Sequence, residues 1–144
     1  MQSVRTSAVV VVATIRDGNA TGRGESVPYP RYGESPEETL RAVESLAGPI
    51  GDGIGREELA RLIGPGAARN ALDCALWDLQ ASLSGRSAMA NAGLAALHPL
   101  TTAYTLSFDT PDAMGKAAAT ARHRPLLKRK LGGGGDFERI AAGR

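Results

Sequence analysis

Lys128 and Lys130 are the residues of this sequence whose type and spacing best suit chemistry. They lie in the stretch Arg124-Pro125-Leu126-Leu127-Lys128-Arg129-Lys130-Leu131-Gly132. As a strand, its period of two puts Leu126, Lys128 and Lys130 on one face and Leu127, Arg129 and Leu131 on the other. Two ammonium groups then point the same way. A free lysine holds its proton up to about pH 10.4, and a second cation beside it disfavours the charged form, which moves the amine towards use as a base. The same Lys-x-Lys also serves as a solvated basic patch, so the rest of the chain has to decide between the two. The single thiol, Cys74, has no sequence neighbour that would activate it and is expected to be a small buried residue.

The elements that would position these lysines are readable in order. Val9 to Ile15 is rich in β-branched residues and ends at Arg16-Asp17-Gly18-Asn19, which predicts a hairpin with Thr21 to Val27 as the return strand. Two prolines and a glycine make Pro28-Tyr29-Pro30-Arg31-Tyr32-Gly33-Glu34 a loop. Ser35-Pro36-Glu37-Glu38 opens a helix with an N-cap serine, a proline at the first helical position and a glutamate for a capping box. Leu40, Val43 and Leu46 line its inner face until Gly48-Pro49 stops it. Gly51 to Gly55 is a linker, because no strand precedes it and no Gly-Lys-Ser/Thr follows. A short helix follows over Arg56 to Ile63. From Ala67 a longer one carries Leu72, Ala75, Leu76, Leu79 and Leu83 at spacings of three and four, with Arg69 and Asp73 one turn apart and able to pair. Thr101 to Phe108 reads as a strand, Asp109-Thr110-Pro111-Asp112 caps a helix to about Arg122, and Leu126 to Leu131 is the next strand. Gly132 to Gly135 turns the chain, and Asp136 caps a helix over Phe137 to Ala142. Residues 101–144 therefore alternate β-α-β-α, the pattern of a parallel sheet with covering helices.

Composition narrows the class. With 42% hydrophobic and 22% charged residues, the 144-residue chain is globular rather than disordered. One cysteine excludes an internal disulfide, the longest aliphatic run (Ala8 to Ala13) is too short to span a membrane, and the N-terminus lacks a secretory layout, so a cytoplasmic protein is expected. Residues 1–115 hold 9 Lys/Arg against 13 Asp/Glu, whereas residues 116–144 hold 8 against 2. Against nucleic acid as the partner of this basic end, the region has one aromatic residue, Phe137, and no binding motif.

Three motifs in one order decide the lysine question. Pro28-Tyr29-Pro30-Arg31-Tyr32-Gly33-Glu34-Ser35, then Ala67-Ala68-Arg69-Asn70-Ala71-Leu72-Asp73-Cys74-Ala75-Leu76-Trp77-Asp78-Leu79, then Leu127-Lys128-Arg129-Lys130-Leu131 resemble the dipeptide epimerases of the enolase superfamily, in its muconate-lactonising branch. The resemblance implies an α+β capping domain over residues 1–98, followed over 99–144 by the first two β/α units of a (β/α) TIM-type barrel, which is incomplete here. It implies an isomerase that removes a proton next to a carboxylate, with the enediolate stabilised by Mg²⁺. By resemblance, Lys130 is one of two catalytic lysines and Lys128 its neighbour, tuning it and contacting the carboxylate. Thr105 is a substrate-contacting threonine, Arg5 pairs with the acidic side chain of a small dipeptide such as L-Ala-D/L-Glu, and Arg31 and Tyr32 belong to the loop over the site. Asp73 and Asp78 are structural in this resemblance, and neither His98 nor His123 matches a functional position.

The family's metal ligands and second lysine lie on later strands, and its members begin with an earlier strand. The chain is thus expected to be truncated at both ends and inactive alone, with no tightly bound metal. An unpaired strand edge would favour self-association. Arg129 departs from the family's aliphatic residue at that place, and a guanidinium there is expected to stay solvated in an open fragment. Other superfamily chemistries (N-acylamino-acid racemase, o-succinylbenzoate synthase, muconate cycloisomerase) and a non-catalytic association module are the alternatives.

Overall fold

The β-branched run and its glycine turn form an antiparallel hairpin of β1 (Val11–Asp17) and β2 (Ala20–Ser26), with Val11 opposite Ser26 and Asp17 opposite Ala20. The computed structural model describes residues 6–143. Gly18, first of the two turn residues, has φ +53°, which a residue with a Cβ rarely adopts. Val9 and Val10 stay outside β1, contrary to expectation. Their partner would be Val27 and beyond, where Pro28 takes the chain out of the ladder.

The helices follow as α1 (Pro36–Ser45), α2 (Ala47–Gly51), α3 (Arg56–Leu62), α4 (Ala67–Ser84) and the short α5 (Ala88–Asn91). The Ser35 hydroxyl accepts the Glu38 N–H, so the serine cap of α1 is as its sequence predicts, but it also donates to the Glu38 carboxylate at 3.0 Å, so that carboxylate meets the hydroxyl and not the Ser35 N–H that the expected capping box needs. The end of α1 differs too. Gly48 and Pro49 lie inside α2, where Pro49 is near the helix start and its missing N–H would have had no partner in any case. Within α1, Thr39 is buried and Leu40 is half exposed; the inward row is Thr39, Val43 and Leu46. Leu83, expected in the core from α4, is exposed.

α4 lies on the hairpin, and small residues on both sides allow it. The inward positions of β2 are Gly22, Gly24 and Ser26, and they face Ala71 and Ala75, both fully buried. A Cβ on Gly24 would stand 2.0 Å from the Ala71 carbonyl oxygen, and one on Gly22 2.1 Å from that of Ala75. Only glycine permits this approach of strand to helix backbone. Around the seam pack Ala13, Leu46, Leu59 and Leu72. The free edge of β2 is covered by α4 side chains: Asp78 accepts the Arg23 N–H at 2.8 Å, and the Asn70 amide donates to the Glu25 carbonyl at 3.2 Å. Cys74, expected to be buried, is exposed on α4, because the contact face is taken by the alanines at 71 and 75.

The chain divides into two compact units, one running to Leu97 and the other starting at His98. The second contains β3 (Tyr104–Leu106), α6 (Pro111–Thr120), β4 (Leu127–Arg129) and α7 (Asp136–Ala142). β3 and β4 pair in parallel, with Tyr104, Thr105 and Leu106 opposite Leu127, Lys128 and Arg129. This is the expected β-α-β-α order, with shorter strands. The ladder is limited to the overlap of two neighbours and extended at its ends by Tyr104 N–H to Leu126 (2.9 Å) and Lys130 N–H to Leu106 (3.2 Å). Thr110 caps α6 by accepting the Ala113 N–H. Leu106, Leu127, Ala118 and Ala121 form the unit's apolar cluster. Among the described residues no helix is long and apolar enough to cross a membrane.

Candidate functional site

The two faces of the β3–β4 sheet differ because its residues alternate. Leu106 and Leu127 turn towards Ala118 of α6 and Ala121 at its C-cap, while Lys128 and Lys130 are exposed on the opposite side. Thr105 is the register partner of Lys128, so it shares that open face one strand away. The structure thus brings together three of the residues singled out by sequence: Thr105, Lys128 and Lys130. Successive residues on one strand face are about 6–7 Å apart, so both amines can reach one small molecule lying over the sheet.

Arg129, between the two lysines, does not stay solvated as expected. It turns to the covered side and donates from Nη1 to the Ile140 carbonyl and from Nη2 to the Gly143 carbonyl, at the C-terminal end of α7. A carbonyl oxygen has two lone pairs, so each can accept a guanidinium N–H. Asp136, expected to cap its own helix, instead turns back to the loop. Its carboxylate accepts the Gly133 N–H at 2.8 Å and the Gly132 N–H at 3.2 Å. The Gly133 bond chiefly holds this carboxyl below the usual range, with the Gly132 bond and Arg139 acting in the same direction.

In the first unit, Arg31 and Tyr32 lie on a single 3-10 turn (Pro30–Tyr32), and both are exposed. The Tyr29 and Tyr32 rings are 6.0 Å apart and tilted by 45°. The turn borders a cavity of about 780 Å³ whose lining includes Tyr29, Tyr32, Glu34, Arg56, Arg69 and Asp73. Asp73 pairs with Arg56 at 2.8 Å and not with Arg69, as its helical spacing suggested; Arg56 approaches from α3 and stacks 3.9 Å over the Trp77 ring. Glu34 accepts the Tyr29 N–H and the Ala67 N–H, and these two bonds, Tyr29 first, hold its carboxyl below the ordinary value.

Sequence reasoning missed the roles of Glu34, Arg56 and Asp136. A signal existed for Glu34. The residue before α4 is Gly66, which has no side chain to cap the helix, so the cap has to come from elsewhere. Arg5 lies outside the described residues. Among the described residues no group of three His, Cys, Asp or Glu side chains could hold a metal ion, and the face bearing Thr105, Lys128 and Lys130 presents cations, which repel one. These residues do not fit Mg²⁺.

No protein-family model matches this chain. It is 41% identical over 129 residues to the L-Ala-D/L-Glu epimerase of Escherichia coli (strain K12), with 88% of this chain and 40% of that protein covered. It is 39% identical over 124 residues to an N-acetyl-D-glutamate racemase of a Pseudoalteromonas species, with 85% of this chain and 39% of that protein covered. The chain therefore spans about two fifths of the length of these relatives. A solved structure from Agrobacterium tumefaciens superimposes with a TM-score of 0.87 at 50% identity, covering 97% of this chain and 43% of the other. That protein is an enolase family member with homology to dipeptide epimerases, holding sodium and L-Ala-L-Glu.

Proposed function

This chain belongs to the enolase superfamily, and from that footing we propose that it forms part of a dipeptide epimerase acting on a glutamate whose nitrogen is acylated. The two curated relatives are named for different reactions, but L-Ala-Glu and N-acetyl-glutamate share that chemistry: an inverting Cα between an amide nitrogen and a carboxylate, with a second carboxylate on the side chain. The observation that carries the reading is the convergence of Thr105, Lys128 and Lys130 on one open sheet face.

In this proposal Lys130, as the free amine, takes the proton from Cα, and the electron pair passes into the adjacent carboxylate. Lys128 holds that carboxylate by charge, and Thr105 hydrogen-bonds the substrate beside it. A proton returned from the opposite face inverts the centre. By the family likeness Arg31 and Tyr32 are proposed as substrate-binding residues and Arg5 as the partner of the side-chain carboxylate, and the first unit is proposed to be the capping domain. Residues 99–144 are the start of the barrel. Mg²⁺, which would supply stabilisation of the enediolate, and the opposing base would have to be held by residues other than those described, so the 144-residue chain alone is expected not to turn over.

The test joins this chain to the remainder of the E. coli epimerase, in place of the matched segment. Incubated with L-Ala-D-Glu and Mg²⁺ in D₂O, the folded product should lose the glutamate Cα proton signal by NMR, while the isolated chain should not. A folded product without exchange would sink the reading. The N-acetyl-D-glutamate racemase relative favours a second substrate, and faster exchange with N-acetyl-D-glutamate would select it.

A further inference from the structure

Lys130 follows a strand of only three residues, and β3 meets it with a single bond, from its own N–H to Leu106. Beyond it comes Gly132-Gly133-Gly134-Gly135, a loop with two positive φ angles and no side chains to fix it. Such a position leaves the direction of a side chain poorly determined. Yet α7 grips the chain on both sides of it. Before Lys130, Arg129 donates to the Ile140 and Gly143 carbonyls at the C-terminal end of α7; after it, Asp136 at the other end accepts the Gly132 and Gly133 N–H groups. The helix is itself fixed to the loop after β3, where Arg139 donates to the Asp109 carbonyl at 2.7 Å and lies 4.2 Å over the Phe108 ring.

We propose that Arg129 is a positioning residue for Lys130: its guanidinium ties the end of β4 to the C-terminal carbonyls of α7 and, with Asp136 as the second anchor, sets the direction in which Lys130 leaves the sheet. The proposal rests on the reading of Lys130 as the base. Alternation places Arg129 on the face away from substrate, so it acts only through its neighbour. Bulk alone does not explain it. An aliphatic side chain fills space under the strand but cannot make the two bonds that tie it to the Ile140 and Gly143 carbonyls.

The first measurement uses the 144-residue chain and needs no activity. Amide hydrogen exchange by NMR should show Lys130, whose N–H donates to the Leu106 carbonyl, losing protection by at least about tenfold in Arg129→Leu, with Met114 in α6 unchanged, and most of that loss recovered in Arg129→Lys, which restores a charged donor. Full protection in Arg129→Leu would overturn the proposal, since bulk would suffice. So would an equal loss at Met114, which would make Arg129 a general stabiliser. The second uses the joined enzyme: Arg129→Leu should lower kcat about tenfold with KM unchanged, and Arg129→Lys should recover it. An unchanged kcat would overturn it. If the unmutated joined enzyme shows no exchange, the epimerase reading fails while the amide measurement still decides the role of Arg129.

Discussion

Glu34 reaches across thirty-three residues of sequence to cap α4, its Oε1 accepting the Ala67 N–H at 2.7 Å while Oε2 accepts the Tyr29 N–H at 2.9 Å. One carboxylate thus joins the two motifs that carry the family resemblance, the tyrosine loop and the alanine-rich helix. Replacing it with alanine leaves the start of α4 uncapped and the loop without its internal acceptor. We expect Glu34→Ala to lower the melting temperature and to speed amide exchange at Tyr29 and Ala67 by about tenfold, with Glu34→Gln intermediate because it keeps one acceptor. Unchanged exchange at Ala67 would show that the cap is dispensable.

The same carboxylate makes stability depend on pH, and Asp136 adds to it. Both groups have folded-state pKa values held below their ordinary values of 4.5 and 3.8, by the backbone bonds from Tyr29 and Ala67 and, for Asp136, chiefly from Gly133. A lowered folded pKa means that the unfolded chain binds protons more readily. The contribution is therefore complete above the ordinary carboxylate value and is lost as pH falls through the lowered one. Urea midpoints should be flat from pH 7 to about 5 and fall below that, and the fall should be shallower in Glu34→Gln. An equal fall in that variant would assign the acid sensitivity to other groups.

Gly24 and Gly51 should respond in opposite ways to the same substitution. A Cβ on Gly24 meets the Ala71 carbonyl oxygen at 2.0 Å and the Ala75 nitrogen at 2.6 Å, both backbone atoms of the central helix. Gly24→Ala has to push strand and helix apart and should cost about 3 kcal/mol or more in chemical denaturation. Gly51, the last residue of α2, has nothing within 4 Å of its added Cβ and no proline after it, and should gain about 0.5–1 kcal/mol as alanine. A mild effect at Gly24 would mean that the hairpin can shift on α4 more easily than the alanine-glycine seam implies.

Features governed by neighbours in sequence were legible, and those governed by distant partners were not. The Ser35 and Thr110 caps, the Gly18 turn and the alternation around Lys128 each depend on a few adjacent residues, and each is found as expected. Asp73 failed because helical spacing offers Arg69 but cannot reveal that Arg56 comes in from another helix. Cys74 failed for a related reason. Its helix is apolar over a wide arc, and which part is covered depends on the glycines of β2, which admit the helix only along its alanines. Arg129 looked costly to cover because the α7 carbonyls that receive it come eleven and fourteen residues later.

Within the candidate site, Lys130 and Lys128 should separate in kinetics although they share a face. Measured in the joined enzyme, Lys130→Ala removes the group proposed to take the Cα proton, and kcat should fall by about 10²–10⁴-fold, the usual contribution of general base catalysis. Substrate binding does not depend on that proton, so KM should change little. Lys128 is proposed to hold the carboxylate, an interaction present before and during proton transfer, so Lys128→Ala should raise KM more than it lowers kcat. Thr105, directly opposite Lys128 in the β3–β4 register, should resemble Lys128 rather than Lys130. If Lys130→Ala keeps its rate while Lys128→Ala loses it, the two roles are exchanged; if both keep it, the face is a basic surface, and the proton is taken elsewhere.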